Sequence, residues 1–288
     1  MKSDAVLFYA KFRSAAVVAL FLGGWSFLGH ADPAPLSSTT TETTFPLHEA
    51  IQSNQLGAAR ALLSSNPKLA LNPDAKGQPP LLLAAEAGNL EAVNLLLDHG
   101  APLEVKSRTH GYTALAAAAA RGHTAIVQLL LKKGAAEDAR AAKLETPLYL
   151  AAREGRLETV KSLVEAHAGI DIPDDEGRTA LIVAARNGHL ATVQFLLDNG
   201  AQPNATMNTG ESALCLAVPG GHLEIVRALL EMGSLATFRT ISGATPLSIA
   251  RKLGNQPMIA LLEKFGARMP ESEPGMPSIP PPRTGPRQ

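Results

Sequence analysis

The stretch Arg178 to Gly210, RTALIVAARNGHLATVQFLLDNGAQPNATMNTG, predicts two short helices joined by a tight turn and followed by a polar loop. Thr179 can cap a first helix over 180–187, and Gly188 ends that helix because glycine adopts the left-handed conformation at low cost. A second helix over 189–199 has its apolar residues on one face and ends at the next glycine. Such a unit cannot bury its own apolar face, so it needs neighbours of the same kind.

The same pattern recurs along the chain at intervals of 33 or 34 residues. Seven positions are equivalent in this register: Phe45, Pro79, Thr113, Thr146, Thr179, Ser212 and Thr245. A glycine follows nine residues later in all but the first, at Gly88, Gly122, Gly155, Gly188, Gly221 and Gly254. Since stacked units bury each other's apolar faces, this repetition predicts an all-α repeat solenoid.

The repeating unit resembles the ankyrin repeat, which has about 33 residues, a turn plus two helices, and a T-P-L-H-x-A signature. The matching segments are FPLHEA (45–50), TPLYLA (146–151), TALIVA (179–184) and TPLSIA (245–250). The resemblance implies an ankyrin array of about seven helix-turn-helix units with hairpin loops over residues 45–268. It also implies that the chain is a protein–protein interaction scaffold or inhibitor.

The segments that flank the array differ from it in composition. Residues 1–31 combine basic residues with an uncharged, mostly apolar run over 14–28 and with small residues before Asp32. This order is typical of a secretory signal peptide; an uncleaved N-terminal anchor and a buried soluble helix are the other interpretations. With a signal or an anchor the repeats lie outside the cytoplasm, so the expected location is periplasmic or secreted. Residues 32–44 are interpreted as a Ser/Thr/Pro-rich tether, and residues 269–288 as a Pro-rich disordered tail.

Composition argues against several other classes of function. The chain has 26 basic and 26 acidic residues, and this balance argues against nucleic acid as the main partner, because phosphate binding needs a basic surface. The single cysteine, Cys215, excludes an intramolecular disulfide framework and is expected to be a small core residue. An exported array with so little cysteine resembles bacterial periplasmic ankyrin-repeat proteins. We expect a monomer that meets a membrane only through an uncleaved N-terminal segment.

No arrangement of residues predicts catalysis, a metal or a cofactor. His123, His189 and His222 each follow a helix-ending glycine, so they lie in separate repeats and are expected to form hydrogen bonds between repeats. The acidic loop 171–177 lacks the spacing of an EF-hand. The chain is therefore expected not to be an enzyme. The alternative is a small-ligand carrier or an enzyme-like role at the sixth repeat, where Pro219 is expected to shorten the first helix.

The resemblance places the partner on the concave face of the array, at the hairpins and the inner faces of the first helices. In each repeat the candidate positions are the residue before the Thr-like position and the pair seven and eight residues after it. These positions hold Glu86, Tyr112, Arg121, Glu145, Arg153, Glu154, Arg178, Arg186, Asn187 and Glu211. A basic ladder at repeat spacing is predicted from three of them, Arg121, Arg153 and Arg186. We expect Tyr112 and Arg153 to be exposed binding residues.

Overall fold

The structure, a computed structural model, describes residues 46–267. These residues form seven pairs of α-helices. In chain order the pairs are α1 (Pro46–Gln52) and α2 (Leu56–Ser65), α3 (Pro80–Glu86) and α4 (Leu90–Asp98), α5 (Ala114–Arg121) and α6 (Thr124–Lys132), α7 (Pro147–Arg153) and α8 (Leu157–Glu165), α9 (Ala180–Arg186) and α10 (Leu190–Asp198), α11 (Ala213–Ala217) and α12 (Leu223–Glu231), and α13 (Pro246–Lys252) and α14 (Gln256–Lys264). No strand occurs within this range, which confirms the predicted all-α repeat solenoid.

The helices pack in two rows. First helices contact the first helices of neighbouring repeats, second helices contact second helices, and each pair packs on itself. Between the rows runs a continuous core of leucine, alanine, valine and isoleucine. The largest fully buried side chain is Tyr149, on α7. Because every repeat has the same orientation in the stack, the loops and the first-helix ends of successive repeats line one side of the array.

From the third repeat onward, a threonine or serine hydroxyl caps the N-terminus of each first helix. Thr113 accepts a hydrogen bond from the backbone N–H of Ala116, and Thr179 accepts one from that of Ile182. Such a cap stabilises a helix by about 1 kcal/mol, because it satisfies a backbone donor that has no partner within the helix. The repeating threonine in the sequence is therefore explained by local hydrogen bonding.

In the first repeat Asn54 and Asn66 stand where later repeats have glycine, and asparagine is the next best residue for the left-handed conformation, so the sequence predicts that conformation for both. Asn54 adopts it, with φ of 54°. Asn66 does not: its φ is −148°, and its side chain caps a short 3-10 helix, Pro67–Leu71, by accepting from the N–H of Lys68 at 3.2 Å. The prediction for Asn66 was wrong because the prolines of this hairpin begin a new helical turn there.

The sixth repeat has the shortened helix that its proline predicts. α11 has 5 residues, whereas α9 has 7, and it ends before Pro219. None of the helices described between residues 46 and 267 is long and apolar enough to span a membrane. The predicted signal peptide or anchor, the tether and the Pro-rich tail lie outside the described residues.

Glycines at the ends of the first helices of the second to fifth repeats have a packing role in addition to their backbone role. A Cβ atom at Gly155 would lie 2.5 Å from Nδ1 of His189 in the next repeat, whereas one at Gly200 would have no atom within 4 Å. Both glycines have positive φ, 65° and 90° respectively. The two sites therefore separate the cost of backbone strain from the cost of a steric clash.

We expect Gly155→Ala to lower the free energy of unfolding by about 1 kcal/mol more than Gly200→Ala, because only the first change forces His189 to move. Urea denaturation of the two variants measures this difference. Equal losses of stability would show that only the backbone conformation requires glycine at position 155 and that the contact with His189 adds nothing to the cost.

Candidate binding surface

A cavity of about 330 Å³ lies between the loops and the first-helix ends of the second to fourth repeats. Five of the predicted site residues line it: Glu86, Tyr112, Arg121, Arg153 and Glu154. We call this cavity the Tyr112 groove. The sequence register therefore brings half of the predicted positions into one site.

Ion pairs neutralise two of the three arginines of the predicted ladder. Nη2 of Arg121 lies 2.6 Å from Oε1 of Glu86, one repeat earlier. The Arg153 guanidinium lies 2.9 Å from Oε1 of Glu145 and 3.0 Å from Oε1 of Glu154. The prediction of a basic ladder was wrong, because these carboxylates offset the positive charge of Arg121 and Arg153.

Tyr112 is the aromatic centre of the groove. Its ring stacks on that of His110 with a centroid separation of 5.4 Å. The side chains of Arg153 and Glu145 lie close enough to its hydroxyl to influence its pKa. Burial, followed by the nearby charge of Glu145, raises the pKa of Tyr112 above its ordinary value. The hydroxyl therefore stays protonated at neutral pH.

Arg153 is less exposed than expected, and its partner Glu145 is largely buried. The side chain of Arg153 is 33% exposed, and that of Glu145 is only 8% exposed. The expectation that Arg153 is exposed is therefore met only in part, and Glu145, a predicted binding residue, is largely buried where it pairs with the Arg153 guanidinium. Asn187, another predicted site residue, donates its side-chain N–H to the backbone carbonyl of Arg153 at 2.8 Å. Its amide links the fourth and fifth repeats.

Arg178 closes the acidic loop of the fourth repeat. The Asp174 side chain is fully buried, and its Oδ2 lies 2.7 Å from Arg178 Nη2. Its Oδ1 accepts from the backbone N–H groups of Glu176 and Arg178 at 3.0 and 2.8 Å. The Arg178 guanidinium also lies over the ring of Tyr149, 5.9 Å from its centroid. These carboxylate oxygens are thus engaged by protein donors, and no cluster that could hold a metal ion occurs among the described residues.

Hydrogen bonds between repeats were predicted for three histidines, and two of them form such bonds. Nε2 of His123 lies 3.1 Å from the carbonyl oxygen of Glu86, and Nε2 of His189 lies 3.0 Å from that of Arg153. A carbonyl oxygen can only accept, so Nε2 carries the hydrogen in both rings. These bonds fix the first-helix ends that line the Tyr112 groove.

The last two predicted site residues, Arg186 and Glu211, line a second cavity, of about 510 Å³. Its other lining residues are Met207, Thr209, Leu216, Pro219 and Gly220. We call it the Arg186 hollow. The repeat register selects only three positions per unit, so Met207 and Leu216 escaped prediction, as did His110 in the Tyr112 groove. Cys215 is buried nearby as a core residue, as predicted, and burial raises the pKa of its thiol.

Comparison with known families agrees with this architecture. A model described as ankyrin repeats (3 copies) matches residues 4–107, 47–141 and 137–207. A second, described as ankyrin repeats (many copies), matches residues 187–230. Together the matches extend from residue 4 to residue 230 of 288. No curated protein matches the chain.

Proposed function

Because the chain belongs to the ankyrin-repeat family, we propose that it is a scaffold or inhibitor that works outside the cytoplasm and binds a protein partner on the concave face of its repeats. Ankyrin repeats generally mediate protein–protein interactions, and the family is typically non-enzymatic. The proposal adds the binding face, the central residues and the location. A small-ligand carrier at the sixth repeat remains the alternative, with the Arg186 hollow as its site.

The Tyr112 groove carries the proposal for the binding face. Tyr112 is half-buried and its ring stacks on that of His110, so fixing the ring in a complex would cost little side-chain entropy. Tyrosine and arginine are also enriched at the centres of protein interfaces. With Arg121 and Arg153 neutralised, we expect affinity to depend on shape and short-range contacts more than on long-range attraction.

The partner can be sought by site-specific photo-crosslinking in the native cell. One crosslinkable residue replaces Arg121, whose side chain is 60% exposed beside the groove. The matched control replaces Gln194, which is exposed on α10, a second helix. A protein captured from position 121 and not from position 194 supports the proposal. Equal capture from both positions, or from position 194 alone, contradicts the proposed binding face.

Once the partner is in hand, Tyr112→Ala should weaken its binding by about tenfold or more, because the aromatic anchor is lost. Tyr112→Phe keeps the ring and should retain most of the affinity. Titration calorimetry measures both variants, and urea denaturation checks that each is folded. Binding by Tyr112→Ala as tight as by the wild type would remove Tyr112 from the interface.

Location outside the cytoplasm is proposed from the sequence of residues 1–31. Trp25, the only tryptophan, lies in this segment. If a signal peptide is cleaved before Asp32, the native protein should show no tryptophan fluorescence, and its intact mass should correspond to residues 32–288. Tryptophan emission together with a full-length mass would contradict cleavage, and recovery of that species from the membrane fraction would favour the uncleaved anchor.

A further inference from the structure

Arg186 lacks the acidic partners that neutralise its counterpart in the preceding repeat. Arg153 lies 33 residues earlier and pairs with Glu145 and Glu154. The positions equivalent to those two glutamates hold Arg178 and Asn187 in the next repeat. The exposed Arg186 guanidinium accordingly takes part in none of the ion pairs of the described residues.

The space beside Arg186 exists because the neighbouring helix is short. α11 ends at Ala217, and Pro219 and Gly220 then form part of the wall of the hollow. Met207 and Leu216 contribute apolar surface and are only partly buried. A volume of about 510 Å³ is enough for a side chain of a partner to enter.

Glu211 is the one acidic group that lines the hollow, and it does not neutralise Arg186. Its Oε2 accepts a hydrogen bond from the hydroxyl of Thr209. No ion pair joins Glu211 to Arg186, although both residues line the cavity. The guanidinium therefore keeps its donors available for a carboxylate from outside, while Glu211 opposes that carboxylate from across the hollow.

We propose that the Arg186 hollow binds an acidic side chain of the protein partner, with an adjacent apolar side chain of the same segment packed on Met207 and Leu216. Charge complementarity supplies the argument, since one unpaired arginine lies beside an apolar surface on the face where the partner is proposed to bind. The inference rests on the proposed function and adds the chemistry of the bound segment. A carboxylate on this guanidinium forms a charge-assisted hydrogen bond, which is stronger than a bond between neutral groups.

The test selects peptides from a phage library of random dodecapeptides on the full chain. Selected peptides should contain Asp or Glu next to an apolar residue. A synthetic copy of the best peptide should bind Arg186→Gln about tenfold more weakly than wild type. Arg227→Gln is the matched control, since Arg227 lies on α12, a second helix, and pairs with Glu224. It should leave binding unchanged, and Glu211→Gln should tighten binding because it removes the opposing charge.

Changing the acid of the peptide to its amide completes a double-mutant cycle. The loss should be about tenfold on wild type and small on Arg186→Gln. An equal loss on both proteins, a selection without acidic residues, or no selection at all overturns the inference. If the photo-crosslinker at position 121 still captures a protein in any of these cases, the proposed function stands and only the role of the hollow fails. If it captures none, the proposed function fails as well.

Discussion

Asp174→Ala should lower the free energy of unfolding by about 3–5 kcal/mol, the largest loss that we expect from a single polar residue of this chain. The carboxylate is fully buried and accepts from two backbone N–H groups of its own loop. It also binds the Arg178 guanidinium, whose side chain is only 14% exposed. Alanine would leave both backbone donors without this acceptor, and the largely buried Arg178 would keep the exposed Glu176, at 3.1 Å, as its remaining ion-pair partner.

Asp175→Ala is the matched control, because Asp175 is the next residue of the same loop and is exposed. Its recorded hydrogen bonds use backbone atoms, which alanine keeps. It should change stability by less than about 0.5 kcal/mol. Urea denaturation compares the two variants with wild type. A loss at Asp174 within about 1 kcal/mol of the loss at Asp175 would mean that the loop relaxes and finds other acceptors.

The repeat pattern in the sequence correctly predicted features that depend on local backbone geometry, such as helix caps and helix ends. Thr179 caps α9 because a hydroxyl at that position meets the N–H three residues later, whatever the rest of the chain does. Pro219 shortens α11 for an equally local reason, since it removes a helix donor and crowds the preceding turn. Asn66 was predicted incorrectly because its loop forms an additional 3-10 helix, which the regular repeats lack.

The repeat pattern predicted where the groove residues lie but not which of them form ion pairs with one another. Arg121 and its partner Glu86 are 35 residues apart, so the ion pair depends on how closely two repeats approach each other. Glu145 was predicted as a binding residue from its position before a helix-capping threonine, yet its side chain is only 8% exposed. Its carboxylate pairs with Arg153, whose Nη1 lies 2.9 Å from its Oε1. The sequence of a single repeat contains no information about a contact between repeats, such as that of Arg121 with Glu86, whereas Glu145 and Arg153 belong to one repeat and are only eight residues apart.

Arg153→Ala should lower the free energy of unfolding by about 2–3 kcal/mol, whereas Arg186→Ala, at the equivalent position one repeat later, should cost less than about 0.5 kcal/mol. Removing Arg153 takes away the cation that pairs with the Glu145 carboxylate, whose side chain is 8% exposed. The loss is smaller than for a fully buried pair because Arg153 is one-third exposed. Arg186 has no ion pair to lose, so similar losses at the two positions would contradict this reasoning.

Glu145→Gln in the Arg153→Ala background identifies the source of the loss. If the loss of stability comes from the uncompensated buried charge of Glu145, the neutral amide should restore about 1 kcal/mol or more of the free energy of unfolding. In the wild-type background the same change should destabilise, because it breaks the pair with Arg153. Urea denaturation of the four proteins gives the coupling free energy. If Glu145→Gln destabilises both backgrounds equally, Arg153 stabilises the fold through packing of its side chain and not through its charge.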